Sequence, residues 1–211
     1  MFQKFLNSLK RPGNESILEA IQKGYQSIFE VIDYRPSKES EAFLNQFGVT
    51  GEYLNYIGSG DFGTAYSMGN GKVFKITSSK SEFEIANEIM KINNLDNIAT
   101  IFATAKTPSG YLIAMEELEE DSDIEYMFSL AQEVLETQGL PTIYIGNFDE
   151  DDYVEQNGEI DPKLKKFMDE LSEVVWDYKR ITGDGGDIRS ENMGRSKDGT
   201  LKAFDIDDRY R

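Results

Sequence analysis

Residues 58–75 read GSGDFGTAYSMGNGKVFK, and the setting of their glycines decides the fold. Gly58, Gly60 and Gly63 make a G-x-G-x-x-G pattern. In a dinucleotide-binding unit that pattern follows a strand and opens a helix. Here strand-type residues stand on both sides, at Tyr53–Ile57 before and at Thr64–Met68 and Lys72–Ile76 after. Gly69-Asn70-Gly71 is a strong hairpin signal, because both residue types accept positive φ. Taken alone, the glycines read as a flexible hairpin turn. Flanked by strands, they suit a loop folded over phosphates, whose amides are approachable because glycine has no Cβ.

Outward from this run, Phe83, Ile85, Ile89 and Ile92 predict a helix over Ser81–Asn93. Strands are expected near Ile98–Thr104 and Tyr111–Glu116, joined by the turn Pro108-Ser109-Gly110. Upstream, Ile17, Ile21, Tyr25, Ile28 and Val31 recur at steps of three and four, an amphipathic helix that Asn14 or Ser16 would cap. A shorter helix near Ser40–Phe47 is ended by Gly48. Downstream, an acidic segment, Glu116–Glu125, leads into helices near Glu125–Thr137 and Pro162–Arg180. Between them lies a polar loop with Asp149, Glu150, Asp151 and Asp152. Both acidic runs read as solvated faces. The last thirty or so residues are a glycine-rich loop and a short strand ending Ala203-Phe204-Asp205.

Composition narrows the chemistry. The 211 residues suit one domain, or one small two-lobed unit with an extension. No stretch is long and apolar enough to span a bilayer, and Met1–Pro12 is too short and polar for a secretory signal. The chain has neither cysteine nor histidine. Thiolate and imidazole metal sites, disulfides and Ser-His-Asp chemistry are thereby excluded, and a general base must be a carboxylate, a lysine or a tyrosine. The net charge of −17 opposes nucleic-acid binding. A polyanion such as ATP would need magnesium and a locally positive pocket.

Several residues carry possible chemistry. Val73-Phe74-Lys75 puts a lysine on the strand after the glycine loop; the bland reading is an exposed strand-end lysine. A phosphate-gripping lysine is best held by a carboxylate, and Glu88 on the next helix is the expected partner, with Glu84 competing one turn earlier. Gly186-Asp187-Ile188-Arg189-Ser190-Glu191-Asn192 gives Asp, four residues, then Asn, in a loop after a long helix. Thirteen residues beyond Asn192 stands Asp205. Magnesium takes a few hard oxygen ligands and retains water elsewhere, which one Asn amide and one carboxylate satisfy alongside phosphate oxygens. The acidic end Asp205-Ile206-Asp207-Asp208 is too short for a calcium loop.

In order, G-x-G-x-F-G, V-F-K, a helix with N-E-I-M, a strand ending M-E-E-L, D-x-x-x-x-N and F-D resemble the protein-kinase-like superfamily over residues 52–208. The resemblance implies an α+β fold, a five-stranded antiparallel N-lobe with one packed helix, followed by a reduced helical C-lobe. The expected division is a helical extension at 1–48, the N-lobe at 49–118 and the C-lobe with catalytic and metal loops at 119–211. Gly58, Gly60, Phe62 and Gly63 would cover the phosphates of ATP and Lys75 would grip them. Met115 would stand as gatekeeper, with Glu116 to Leu118 as the hinge that meets adenine. Asp187 would be the catalytic aspartate, and Asn192 and Asp205 the magnesium ligands. With six residues after Asp205, no activation segment or peptide platform is expected.

The function implied is an ATP- and magnesium-dependent phosphotransferase acting on a protein or small-molecule hydroxyl. The alternative is a kinase-fold binding or structural protein, a component of a phage particle or larger assembly, with a partner held through the N-terminal helices. A third is transfer of a nucleotide from the same site. The texture resembles bacteriophage-encoded chains, and the expected location is cytoplasm, a host's cytoplasm or a virion.

Overall fold

The computed structural model describes residues 37–51, 54–60, 62–183 and 188–204. The helix expected over Ile17–Val31, and Asp187 and Asp205, lie outside the described residues. The chain divides into two compact units, residues 1–56 and 57–211. In the first, helix α1 (Lys38–Asn45) begins where the Ser37 hydroxyl accepts the Ser40 amide, an N-cap that satisfies one orphan donor. The helix buries Phe43 and Leu44, and Gly48 follows it at φ 69°.

The sheet has five strands: β1 (Asn55–Ser59), β2 (Gly63–Ser67), β3 (Lys72–Thr77), β4 (Ile101–Thr107) and β5 (Gly110–Glu116). Their order is β1-β2-β3-β5-β4, antiparallel throughout. Gly69 and Gly71 turn the β2–β3 hairpin at φ 71° and 76°, as the Gly-Asn-Gly signal requires. Helix α2 (Lys80–Ile89) crosses from β3 to β4 and lies on the sheet, with Phe83 stacked on Tyr111 of β5 at 4.6 Å. Ser79 caps it, its hydroxyl accepting the Glu82 amide. The helix stops four residues before the expected Asn93, and Asn94 adopts φ 60° beyond it. Strand β4 starts three residues later than expected. Ile98 and Ala99 are diverted into a parallel bridge with Ala203, so the regular ladder begins at Ile101.

The remaining elements are mostly helical. Helix α3 (Asp123–Thr137) and α5 (Pro162–Thr182) carry most of the core. On α5 the buried apolar residues are Leu164, Phe167, Met168, Leu171, Val174, Val175 and Tyr178, spaced at three and four, so one stripe faces inward. They meet Ile124, Phe128, Ala131, Val134 and Leu135 of α3, and Ile145 from a 3-10 turn at Thr142–Asn147. Helix α5 opens on Asp161, whose carboxylate accepts the Lys163 and Leu164 amides, with Pro162 at its first position. It ends on Gly183 at φ 87°. A short helix α4 (Glu150–Asn157) stands where a polar loop was expected; it buries no residue and is capped by Asp149. A hairpin of β6 (Met193–Arg195) and β7 (Leu201–Ala203) closes the described chain. The result is a mixed α+β fold, a five-stranded antiparallel sheet with one helix on it and a helical lobe, consistent with the kinase-like architecture. Among the described residues no helix is long and apolar enough to cross a membrane.

Candidate functional site

A cleft of about 400 Å³ opens between the sheet and the β6–β7 hairpin. Its sheet side is apolar: Ile57 of β1, Ala65 of β2 and Val73 of β3. Met193 and Phe204 line it from the hairpin, and Met115, Glu116, Glu117 and Leu118 form its back. An apolar slot with a few polar groups at its edge is the usual form of a small-molecule site.

Among the described residues, Lys75 is the cation on this cleft's wall. It stands opposite Ala65 and Ile113 in the sheet and forms an ion pair with Glu82 in the first turn of α2. Both side chains are half-buried, 18% and 13% exposed, so the pair is shielded better than a surface one. The partner is not the expected Glu88. Glu88 is exposed and bonded to Lys91 at 2.6 Å, and Glu84 is exposed and bonded to Lys80. The reason is helix phase. With Ser79 as the cap, Glu82 occupies the third helical position, next to β3. Glu84 lies about 200° and Glu88 about 240° further round the helix.

The glycine loop is anchored from beneath. The Phe62 carbonyl accepts three donors, the Ser78 amide at 2.7 Å, the Ser78 hydroxyl at 3.0 Å and the Thr77 hydroxyl at 3.2 Å. The Gly60 amide donates to the Gly63 carbonyl at 2.9 Å. Gly63 is required by the fold itself, because a Cβ there would overlap the Ile76 carbonyl oxygen. At Gly58 and Gly60 no protein atom lies within 4 Å of an added Cβ. The sheet does not demand glycine at these two positions. The Phe62 side chain is exposed.

At the back of the cleft Met115 is buried, where a gatekeeper was expected. The Glu116 amide donates to the Thr100 carbonyl and the Glu117 amide to the Gly71 carbonyl. Leu118 makes no hydrogen bond among the described residues, through either its amide or its carbonyl. Beyond it, Glu119 and Arg195 exchange backbone hydrogen bonds at 2.7 and 3.0 Å, fixing the linker to β6. This approach depends on Gly194, since a Cβ there would come within 2.8 Å of the Leu118 side chain. Arg195 then spans Asp121 at 2.8 Å, Glu170 of α5 at 3.0 Å and the Gly199 carbonyl at 2.7 Å. The Asp123 amide and this guanidinium hold the Asp121 carboxyl below its ordinary value.

Asn192 ends a 3-10 turn (Ser190–Asn192). Its carbonyl accepts the Phe204 amide at 2.9 Å, which joins the two strands of sequence expected to carry the metal ligands. Its half-buried side-chain amide has no partner among the described residues, so a hard oxygen is available for a cation. No group of three or more acidic residues forms a metal cage among the described residues. An Asn oxygen, with a carboxylate and phosphate oxygens, is a donor set that fits magnesium and not zinc. Several contributors escaped the sequence reading: Glu82, the Thr77–Ser78 anchor and Arg195. For Glu82 the Ser79-x-x-Glu82 spacing, a capping-box pattern, was the available signal.

No family model matches this sequence, and no curated protein matches it. Among solved structures the chain is similar to the GDP and kanamycin complex of APH(2")-IIia, at 14% identity. The TM-score is 0.37, over 78% of this chain and 70% of that one. At this level of similarity neither activity nor ligand passes from that protein to this chain.

Proposed function

We propose that this chain is a phosphotransferase that uses ATP and magnesium to phosphorylate a hydroxyl on a protein or small-molecule acceptor. The observation that carries this reading is the half-buried Lys75–Glu82 pair on the wall of an apolar cleft, on the strand that follows the glycine-loop hairpin. Adenine would lie between Ile57, Ala65 and Val73 on one side and Met193 and Phe204 on the other. The unpaired Leu118 amide and carbonyl would meet its edge. Gly58 and Gly60 leave room for a phosphate tail to approach the loop backbone.

Glu82 holds Lys75 extended toward the cleft, and Lys75 offsets charge on the phosphates as the transfer proceeds. Asp187 would orient the acceptor O–H and take its proton while the oxygen attacks the γ-phosphorus. The bond from that phosphorus to the β-γ bridging oxygen breaks, and ADP leaves with the electron pair. Asn192 and Asp205 would hold magnesium, which when bound supplies positive charge against the phosphate oxygens. Removing general-base help costs about 10² to 10⁴ in rate, so Asp187→Asn is expected to lose that much transfer.

A second reading has its own support. Glu116, Glu117, Glu119, Glu120 and Glu191 all line the same cleft, an acidic mouth that repels free nucleotide. On that ground the chain would be a kinase-fold binding protein.

Thermal shift with ATP alone and ATP plus magnesium, on wild type and on Asp205→Ala, separates the two. A ligand that binds only the folded state raises the melting temperature by mass action. A magnesium-dependent rise that disappears in Asp205→Ala is the expected result. No shift under any condition would sink the phosphotransferase reading and favour the binding protein.

A further inference from the structure

Strand β7 is only three residues long, and its one partner strand, β6, is equally short. A two-stranded ladder of that size is marginal in water. Yet β7 leads through Phe204 directly to Asp205 in sequence, and its exit is hydrogen-bonded to the Asn192 carbonyl. Something outside the hairpin must hold it.

Two carboxylates do so. The first is Asp177, on α5 and 5% exposed. One of its oxygens accepts the Asn97 amide at 3.0 Å and the other pairs with Arg180 at 3.1 Å. Arg180 also donates to the carbonyls of Asn93 and Asn94. The segment so fixed grips β7: the Asn97 side chain donates to the Leu201 carbonyl at 3.1 Å. The Asn97 carbonyl accepts the Ala203 amide at 3.0 Å, and the Ala99 amide donates to the Ala203 carbonyl at 2.8 Å. The second carboxylate is Glu116, at the end of β5. One oxygen accepts both the Thr100 amide at 3.1 Å and the Lys202 ammonium at 2.9 Å, with Lys202 and Glu116 only 13% and 20% exposed.

We propose that Asp177 and Lys202 are positioning residues for the phosphotransfer site, clamping β7 between α5 and the end of β5 so that Asn192, whose carbonyl accepts the Phe204 amide at the strand's exit, is kept in place for magnesium. This inference rests on the phosphotransferase reading. Neither residue touches nucleotide. Each acts through the backbone of β7. A loosened strand leaves the sheet side of the cleft, Ile57, Ala65 and Val73, in place and disturbs Met193 and Phe204, so nucleotide alone should bind with a small loss, while the magnesium contribution should fall further. Groups that orient metal ligands from outside are worth about 10- to 100-fold in metal affinity.

The experiment is a magnesium titration at fixed ATP, read by thermal shift, on wild type, Lys202→Met, Lys202→Arg and Asp177→Asn. In Lys202→Met the expected result is a shift with ATP alone that is reduced only slightly and a magnesium midpoint raised about tenfold or more. Lys202→Arg, which keeps the charge on Glu116, should recover most of it. Asp177→Asn should raise the midpoint as well, and Lys202→Met keeps the test decisive if Asp177→Asn fails to fold. An unchanged midpoint in Lys202→Met, with only the ligand-free melting temperature lowered, would overturn the inference and leave the clamp a matter of stability. A wild-type protein that binds ATP with no magnesium increment would overturn the phosphotransferase reading itself, and the inference with it.

Discussion

Lys75 can be held by one glutamate at a time, and α2 offers three. The structure gives the place to Glu82, with Glu84 and Glu88 turned to exposed lysines. Glu82→Ala is therefore expected to lower phosphoryl transfer about 10²-fold, the scale of a misplaced contact at the reacting group. Glu88→Ala should leave transfer unchanged and shift stability by less than about 0.5 kcal/mol, as surface substitutions do. Equal losses in the two variants would return the partner's role to Glu88. The glycines divide in the same way. Gly63→Ala forces a methyl group into the Ile76 carbonyl and should cost about 1 to 3 kcal/mol in urea unfolding. Gly58→Ala and Gly60→Ala meet open space, so their unfolding midpoints should stay near wild type while nucleotide affinity falls. The sequence announced all three glycines by one motif, but only the paired strands tell which of them the sheet itself requires.

At the level of elements, the features with a local period were legible. The Gly-Asn-Gly turn, the alternating strands and the three-four spacing on α5 each repeat within a few residues, and the sheet and the two long helices followed from them. What has no local period was not legible. Asp177 and Asn97 are 80 residues apart and Glu116 and Lys202 are 86 apart, and nothing in either neighbourhood marks the partner. Helix α4 escaped because it has no apolar face; its signal was Asp149 followed by acids in the first turn, where the helix dipole favours them. Arg195 belongs to the same hidden class. It ties the linker after β5 to α5 through Asp121 and Glu170, both about three-quarters buried. Arg195→Met should lower stability by roughly 1 to 2 kcal/mol, between an exposed pair and a buried one. The effect has a pH signature. Asp121 titrates below its ordinary 3.8, first because the Asp123 amide and then because Arg195 favour its ionised form. Its contribution is complete above that ordinary value and is lost as pH falls through the lowered one. The gap between wild type and Arg195→Met should thus be full at pH 7 and narrow below about pH 4. A gap independent of pH would mean that packing of the arginine stem, not its charge, is what matters.

For the molecule as a whole, charge dominates. Against 39 acidic residues stand 22 basic ones, a net of −17 on 211 residues. Many of the described cations are already committed, Arg195, Lys202, Arg180 and Lys75 among them. The remainder is self-repulsion, which a compact state suffers more than an expanded one. Salt shortens its reach, from a Debye length of about 30 Å at 0.01 M to about 8 Å at 0.15 M. The half-buried pairs are screened less than the exposed acids. The melting temperature of the ligand-free protein should therefore rise between about 0.01 M and 0.15 M sodium chloride, and it should rise further with magnesium chloride at equal ionic strength if a divalent site exists. The same repulsion acts on ATP approaching a cleft whose walls, among the described residues, carry five glutamates and one lysine. Free ATP should bind more tightly as monovalent salt is raised through this range, whereas ordinary electrostatic attraction of a polyanion weakens with salt. Isothermal titration at the two salt concentrations, without magnesium, decides the matter. An affinity that falls with salt would mean that the field inside the cleft is positive despite the chain's total, and that Lys75, not magnesium, governs nucleotide capture.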